Sequence, residues 1–132
     1  MKKFMMKAWV VYIQAFFYSV AGLNHFLNPD FYLPLIPEYL PNHGLINLIA
    51  GFIEILLGLG ILFKNSRKWA GYGIVVMLIS FIPSHIYIIQ IGGCVGGGLC
   101  VPLWIAWVRL LFIHPLLLIW AISLTHFRFD FR

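Results

Sequence analysis

A chain of 132 residues that is 62% hydrophobic and 10% charged lies well below the roughly 25% charged residues of a soluble domain. This composition excludes an ordinary water-soluble domain and predicts one small domain in a lipid bilayer. The net charge of +5 does not indicate nucleic-acid binding, because the basic residues lie in short clusters between apolar runs.

Four apolar runs are each long enough to cross a bilayer as a helix. They are residues 8–27, 45–63, 69–91 and 102–125. A membrane β-barrel would need shorter segments of alternating polarity, which are absent. The sequence therefore predicts an all-α membrane protein, an antiparallel four-transmembrane-helix bundle that forms a single membrane domain over residues 1–132.

The positions of lysine and arginine predict how the runs are oriented. The connections 28–44 and 92–101 carry neither residue type. The three other flanks carry the basic residues Lys2, Lys3, Lys7, Lys64, Arg67, Lys68, Arg128 and Arg132. Basic flanks stay in the cytoplasm, so both termini are expected there. The predicted location is a bacterial inner (cytoplasmic) membrane, with the lipid bilayer as the first partner.

The first run carries polar residues on one helical face. Gln14, Tyr18, Ala21 and His25 share that face, which is expected to point into the bundle. The run resembles a secretory signal, but it is longer than usual and two of these polar residues interrupt it. We therefore expect a retained helix.

The two outer connections have distinct compositions. Segment 28–44 has four prolines and many apolar side chains, so it is expected to lie at the membrane interface without a regular helix. It is either a connector or a lid over a cavity. Loop 92–101 is rich in glycine and contains Cys94 and Cys100, whose disulfide an oxidising compartment would permit. A structural staple, a redox-active pair and two free thiols all remain open.

Glu54 and Arg109 are the charged residues within the four runs. A charge at this depth costs a few kcal/mol or more unless it is paired or hydrated. The two side chains are therefore expected to form an ion pair. Asn47, Gly51 and Gly58 share the helical face of Glu54, and small residues there allow another helix to approach closely.

Counting about 1.5 Å per residue from the outer ends brings several polar side chains to similar depths. The predicted ligand-binding residues are His25, Glu54, His85, Arg109, Asn24, Asn47, Ser84 and Tyr87. They would form a polar pocket in the outer half of the bundle. The alternative is a buried ion pair that only fixes helix packing. No metal site is predicted, since no close ligand spacing such as HxxxH occurs. His114, next to Pro115, is expected to bond a main-chain carbonyl that the helix break leaves free.

Several short motifs together resemble the DoxX-like family of small four-helix membrane proteins. They are residues 21–26 (AGLNHF), 29–32 (PDFY), 36–37 (IP), 51–60 (GFIEILLGLG), 83–87 (PSHIY) and 109–110 (RL). The resemblance covers most of the chain and all four runs. His85 stands where many members have asparagine.

The resemblance implies two kinds of function. Some relatives are small subunits of a thiosulfate:quinone oxidoreductase or redox-associated proteins of amine dehydrogenase maturation, which implies a small amphipathic or quinone-like ligand. A distant vertebrate relative, the receptor chaperone NACHO, implies a non-enzymatic chaperone or accessory subunit that binds other membrane proteins or a second copy. No flavin, haem or iron–sulfur motif is visible, so the cofactor and any enzymatic activity stay open.

Overall fold

The computed structural model describes residues 5–95, 100–126 and 128–131, and these are mostly helical. The helices are α1 (Trp9–Leu27), α2 (Pro29–Tyr32), α3 (His43–Leu62), α4 (Arg67–Gln90), α5 (Leu103–Val108) and α6 (His114–His126). A 3₁₀ turn at Leu33–Leu35 follows α2. A π-helical turn at Arg109–Ile113 joins α5 to α6.

Four helical spans in the described residues are long and apolar enough to cross a membrane. They are α1, α3, α4 and the combined stretch Leu103–His126. The four predicted runs are thus confirmed as long apolar helices, with ends that differ by a few residues. The proline-rich connection contains only α2 and the 3₁₀ turn, as its four prolines require.

The chain also has two short strands that the all-α prediction missed. Strand β1 (Met5–Lys7) pairs in parallel with β2 (Arg128–Asp130), in the register Met5↔Arg128. The main-chain N–H of Ala8 donates a further hydrogen bond to the Asp130 carbonyl at 2.9 Å. The residues that precede the first span are thereby hydrogen-bonded to the residues that follow the fourth span. We call this end of the bundle the strand end.

The spans associate as two tightly packed pairs, α1 with α3 and α4 with α6. Small residues permit the first contact: a Cβ atom on Gly22 would lie 2.6 Å from the Gly51 carbonyl oxygen. One on Gly58 would lie 2.7 Å from Ser19 Oγ. On α4, a Cβ on Gly71 would meet Thr125 of α6 at 2.9 Å. The pairs themselves meet through α3 and α4.

The buried apolar core joins all four spans near the strand end. Its members are Val11, Ala15, Tyr18, Ile61, Ala70, Ile74, Met77, Leu78, Ala121 and Leu124. They come from the beginnings of α1 and α4 and from the ends of α3 and α6. The opposite ends of the spans contribute little to this core, which leaves room there for a cavity.

Arg67 organises the strand end. Its Nε donates to the Ile61 carbonyl at 2.8 Å and its Nη2 donates to the Leu62 carbonyl at 3.1 Å. These are carbonyls of the last turn of α3, which have no partner within the helix. The guanidinium carbon also lies 4.6 Å from the ring centre of Phe131 and 5.8 Å from that of Phe129. One side chain therefore links α3, α4 and the segment around β2.

Gly22→Ala tests the close α1–α3 contact. The added methyl would lie 2.6–2.8 Å from main-chain atoms of Gly51 and Ile55 and from Glu54 Cβ, so the helices must separate. We expect the free energy of unfolding to fall by roughly 1–3 kcal/mol. Thermal and denaturant unfolding in detergent measures it. Gly44→Ala is the matched control, because a Cβ there meets nothing within 4 Å. Equal effects of the two changes would contradict this packing.

Candidate functional site

A cavity of about 760 Å³ lies among the spans. All four spans line it, and the segment after α1 contributes Tyr32, Leu35, Ile36, Tyr39 and Leu40. Most of the wall is apolar or aromatic. The proline-rich segment is therefore part of the cavity wall rather than a connector remote from it.

Glu54, His25 and Asn47 form a buried polar cluster on the α1–α3 side of this cavity. Glu54 is 6% exposed, and its Oε2 lies 3.5 Å from His25 Nε2. His25 Nδ1 donates to Asn47 Oδ1 at 2.7 Å. The amide nitrogen of Asn47 donates back to the His25 carbonyl at 3.0 Å. The imidazole ring also stacks on Tyr32, with ring centres 3.7 Å apart.

The local sequence explains why Asn47 binds the main chain of α1. The last helical bond of α1 runs from the Asn28 N–H to the Asn24 carbonyl at 2.9 Å. The next bond would reach the His25 carbonyl from residue 29, but Pro29 has no N–H to donate. Asn47 supplies the missing donor from the neighbouring helix. A buried carbonyl without a partner would otherwise cost about 1–3 kcal/mol.

The predicted ion pair between Glu54 and Arg109 is wrong. In the part of the chain that the structure describes, the ion-pair contact of Glu54 is with His25. The close contact of α1 with α3 at Gly22 and Gly51 places His25 next to Glu54. Arg109 belongs to the fourth span, which packs chiefly on α4. It lines the same cavity without an ion-pair contact among the described residues.

A second group of polar side chains lines the cavity from α4 and the fourth span. The rings of His85 and His114 meet edge to face, 4.8 Å between centres. His114 Nε2 donates to a main-chain carbonyl, as expected, but at 2.7 Å to that of Leu78 on α4 rather than to one freed by the break at Pro115. Ser84 of α4 and Arg109 of the fourth span also line the cavity. The two polar groups thus occupy different helix pairs.

The π-helical turn at Arg109–Ile113 brings this second group to the cavity. Pro115 cannot donate to the carbonyl four residues earlier, and the backbone N–H of His114 bonds the Arg109 carbonyl, five residues back. The extra residue per turn rotates the chain. As a result Arg109, Ile113 and His114 all line the cavity.

The structure brings most of the predicted site residues together. Those that line the cavity are His25, Asn47, Glu54, Ser84, His85 and Arg109. Asn24 does not, since it precedes His25 by one residue and turns away, where its amide nitrogen donates to the Tyr32 hydroxyl at 2.8 Å. Tyr87 is also absent from the lining, because it follows His85 by two residues and faces another side of α4.

Tyr18 is a cavity residue that the predicted set omitted. It is 1% exposed, as expected from its place on the inward face of the first run. Its hydroxyl and Glu54 Oε2 are buried and have no hydrogen-bond partner among the described residues. Gln14 on the same face donates from its amide nitrogen to the Trp120 carbonyl at 3.1 Å. The position of Tyr18 on the predicted inward face of the first run was the sequence signal that could have placed it in the site.

The disulfide between Cys94 and Cys100 is confirmed. Their Cα atoms lie 4.1 Å apart, and the two residues form an isolated antiparallel bridge. Next to them the Val101 N–H donates to the Gly93 carbonyl at 2.7 Å. Gly93 has φ +84°, and a Cβ there would collide with the Val101 carbonyl oxygen, so glycine is required. Residues 96–99 of this loop lie outside the described residues.

A family model with the description "Domain of unknown function (DUF8561)" matches residues 14–125. This match covers most of the first span, nearly all of the other three and both polar groups of the cavity. No curated protein and no solved structure gave a significant match.

Asn47→Leu tests the buried cluster through protein stability. The change leaves His25 Nδ1 and the His25 carbonyl without partners, so we expect the free energy of unfolding to fall by roughly 2–5 kcal/mol. Unfolding in detergent measures it. Asn24→Leu is the matched control, because that amide bonds Tyr32 and Asn28 in less buried positions. A smaller loss for Asn47→Leu than for Asn24→Leu would contradict the assigned role.

Proposed function

The chain belongs to the family described as a domain of unknown function (DUF8561), and we propose that it binds a small amphipathic molecule in the cavity among its helices. The cavity itself carries the proposal. Small-molecule sites typically occupy about 300–1,000 Å³ and have apolar walls with a few convergent polar groups. A volume of about 760 Å³ with two groups of polar side chains on its walls matches that description.

The chemistry of the walls indicates the kind of ligand. Aromatic and aliphatic side chains would bury a ring or a short chain. Glu54 with His25 would meet one polar end of the molecule, and Arg109 with His85 would meet another. A quinone-like ring with oxygens on opposite sides has this distribution. The resemblance to DoxX-like proteins, some of which serve quinone-linked enzymes, supports the same ligand class.

In a redox setting, these side chains would manage protons and charge. Glu54 and His85 would exchange protons with the ligand, and Arg109 would stabilise partial negative charge on it. Electrons would come from a partner protein or a diffusible carrier. The disulfide residues are not among those that line the cavity, so they are not assigned to this chemistry.

The proposed topology has four spans in alternating directions, with both termini in the cytoplasm and the cavity in the outer half. Two contacts support the alternation of α1 and α3: Gly22 meets Gly51, whereas Gly58 meets Ser19. The pairing of β1 with β2 supports a common side for the flanks of the first and fourth spans. The basic flanks support an orientation with this side in the cytoplasm, and we propose a bacterial inner membrane as the location.

The alternative function is a chaperone or accessory subunit that binds membrane helices through small-residue faces. The faces that contain Gly22, Gly51, Gly58 and Gly71 are already used inside the chain. A membrane-protein partner or a second copy would have to bind the lipid-facing surface instead. This internal use of the glycines favours the ligand-binding function.

Ligand retention tests the proposed function. We expect native mass spectrometry of protein purified in mild detergent to show a bound small molecule. Ser84→Trp should reduce its occupancy by about tenfold or more, since it places an indole in the cavity. Ile86→Trp is the control on the same helix, because Ile86 is 42% exposed and does not line the cavity. An empty wild-type protein, or equal retention by both variants, would refute the proposal.

A further inference from the structure

The contacts of Asn47 determine where the hydrogen of the His25 ring lies. The His25 carbonyl can only accept a hydrogen bond, so the Asn47 atom 3.0 Å away is the amide nitrogen. The amide oxygen must then face His25 Nδ1, at 2.7 Å. An amide oxygen also only accepts. Nδ1 therefore carries a hydrogen whatever the charge of the ring.

This tautomer constrains the contact between His25 and Glu54. A neutral ring with hydrogen on Nδ1 presents the lone pair of Nε2 to Glu54 Oε2, 3.5 Å away. If Glu54 were a carboxylate, two acceptors would face each other and a net negative charge would remain buried in the bundle. One proton removes both problems. It can sit on Nε2, which gives an imidazolium and a carboxylate, or on Glu54, which gives an imidazole and a carboxylic acid.

The groups around this pair do not offset a net charge. Tyr18 lies within electrostatic range of Glu54, and Tyr32 stacks on His25, but both are phenols. The other titratable side chains that line the cavity are Tyr39, His85, Arg109 and His114. Of these Arg109 is the cation, and it forms no ion-pair contact with Glu54 in the described part of the chain. The pair must therefore reach neutrality by itself.

We propose that Glu54 and His25 hold one proton between them, and that Asn47 is the positioning residue that sets this count by fixing the tautomer of His25. Glu54 Oε2 of this pair and Tyr18 Oη are both buried and have no hydrogen-bond partner among the described residues. A ligand hydroxyl group can bond to both, since it can donate to Glu54 Oε2 and accept from the Tyr18 hydroxyl. An amphipathic molecule with such a group is the ligand class that the site serves.

This inference rests on the proposed function for the ligand but not for the proton count. The count is measured on the full chain in phosphatidylcholine bilayers, without added ligand. Nitrogen-15 NMR of labelled histidine reports protonation of each ring nitrogen, and infrared spectroscopy reports a neutral carboxyl group. His25→Phe and Glu54→Gln assign the signals. One proton on the pair in a protein that native mass spectrometry shows to be empty would refute the proposed function alone.

We expect Nδ1 of His25 to be protonated, together with either a protonated Nε2 or a neutral Glu54 carboxyl group. Both together would mean two protons and would overturn the inference. Neither of them, or hydrogen on Nε2 alone, would overturn it as well. Retention of a ligand by a protein with such a result would leave the proposed function standing.

Substitutions at Asn47 separate positioning from general structural support. Asn47→Leu removes the acceptor for Nδ1–H, so the His25 signal should change to a mixture of tautomers while the other histidine signals stay unchanged. Asn47→Asp keeps an acceptor at this place and should keep Nδ1 protonated. Unchanged His25 signals in a folded Asn47→Leu protein would refute the positioning role. If that variant does not fold, the wild-type proton count and Asn47→Asp still decide.

Discussion

The contact between α1 and α3 at Gly22 and Gly51 determines the chemistry of the cavity. Main-chain atoms approach so closely there that no side chain larger than hydrogen fits. The approach places His25 beside Glu54 and Asn47, so the acid finds its partner within one helix pair. The fourth span packs on α4 instead and brings Arg109 and His114 to the cavity from the other helix pair.

The cavity follows from an uneven distribution of apolar packing along the bundle. Near the strand end, side chains from all four spans form one core, and Arg67 bonds the last carbonyls of α3. Beyond that core the two pairs keep their internal contacts, and the segment 29–40 covers part of the space between them. A bundle packed equally along its length would have no volume for a ligand. The polar residues lie where the shared core ends.

Much of the fold could be predicted, because long apolar runs can satisfy their backbone in lipid only as helices. The two strands could not, since each has three residues without a recognisable pattern and depends on contacts near Arg67. Depth along each run indicated which polar residues share a level, and most of the predicted site residues do line the cavity. The depth of a residue along a helix does not say to which side of the helix axis its side chain points. For this reason the predicted Arg109–Glu54 pair was wrong, and Asn24 and Tyr87 were included in the predicted site although they do not line the cavity. The π-helical turn has no sequence signal beyond Pro115.

The pairing of β1 with β2 has a consequence for biosynthesis. All four spans lie between these strands in the sequence. Strand β1 therefore has no partner until Arg128–Asp130 have emerged from the ribosome. Arg67 likewise lacks its aromatic contacts until Phe129 and Phe131 have been synthesised. The first three spans are therefore synthesised before this end of the bundle can close. A contact of such high sequence separation forms slowly, so the nascent chain passes through a stage in which its helices are inserted but not yet locked.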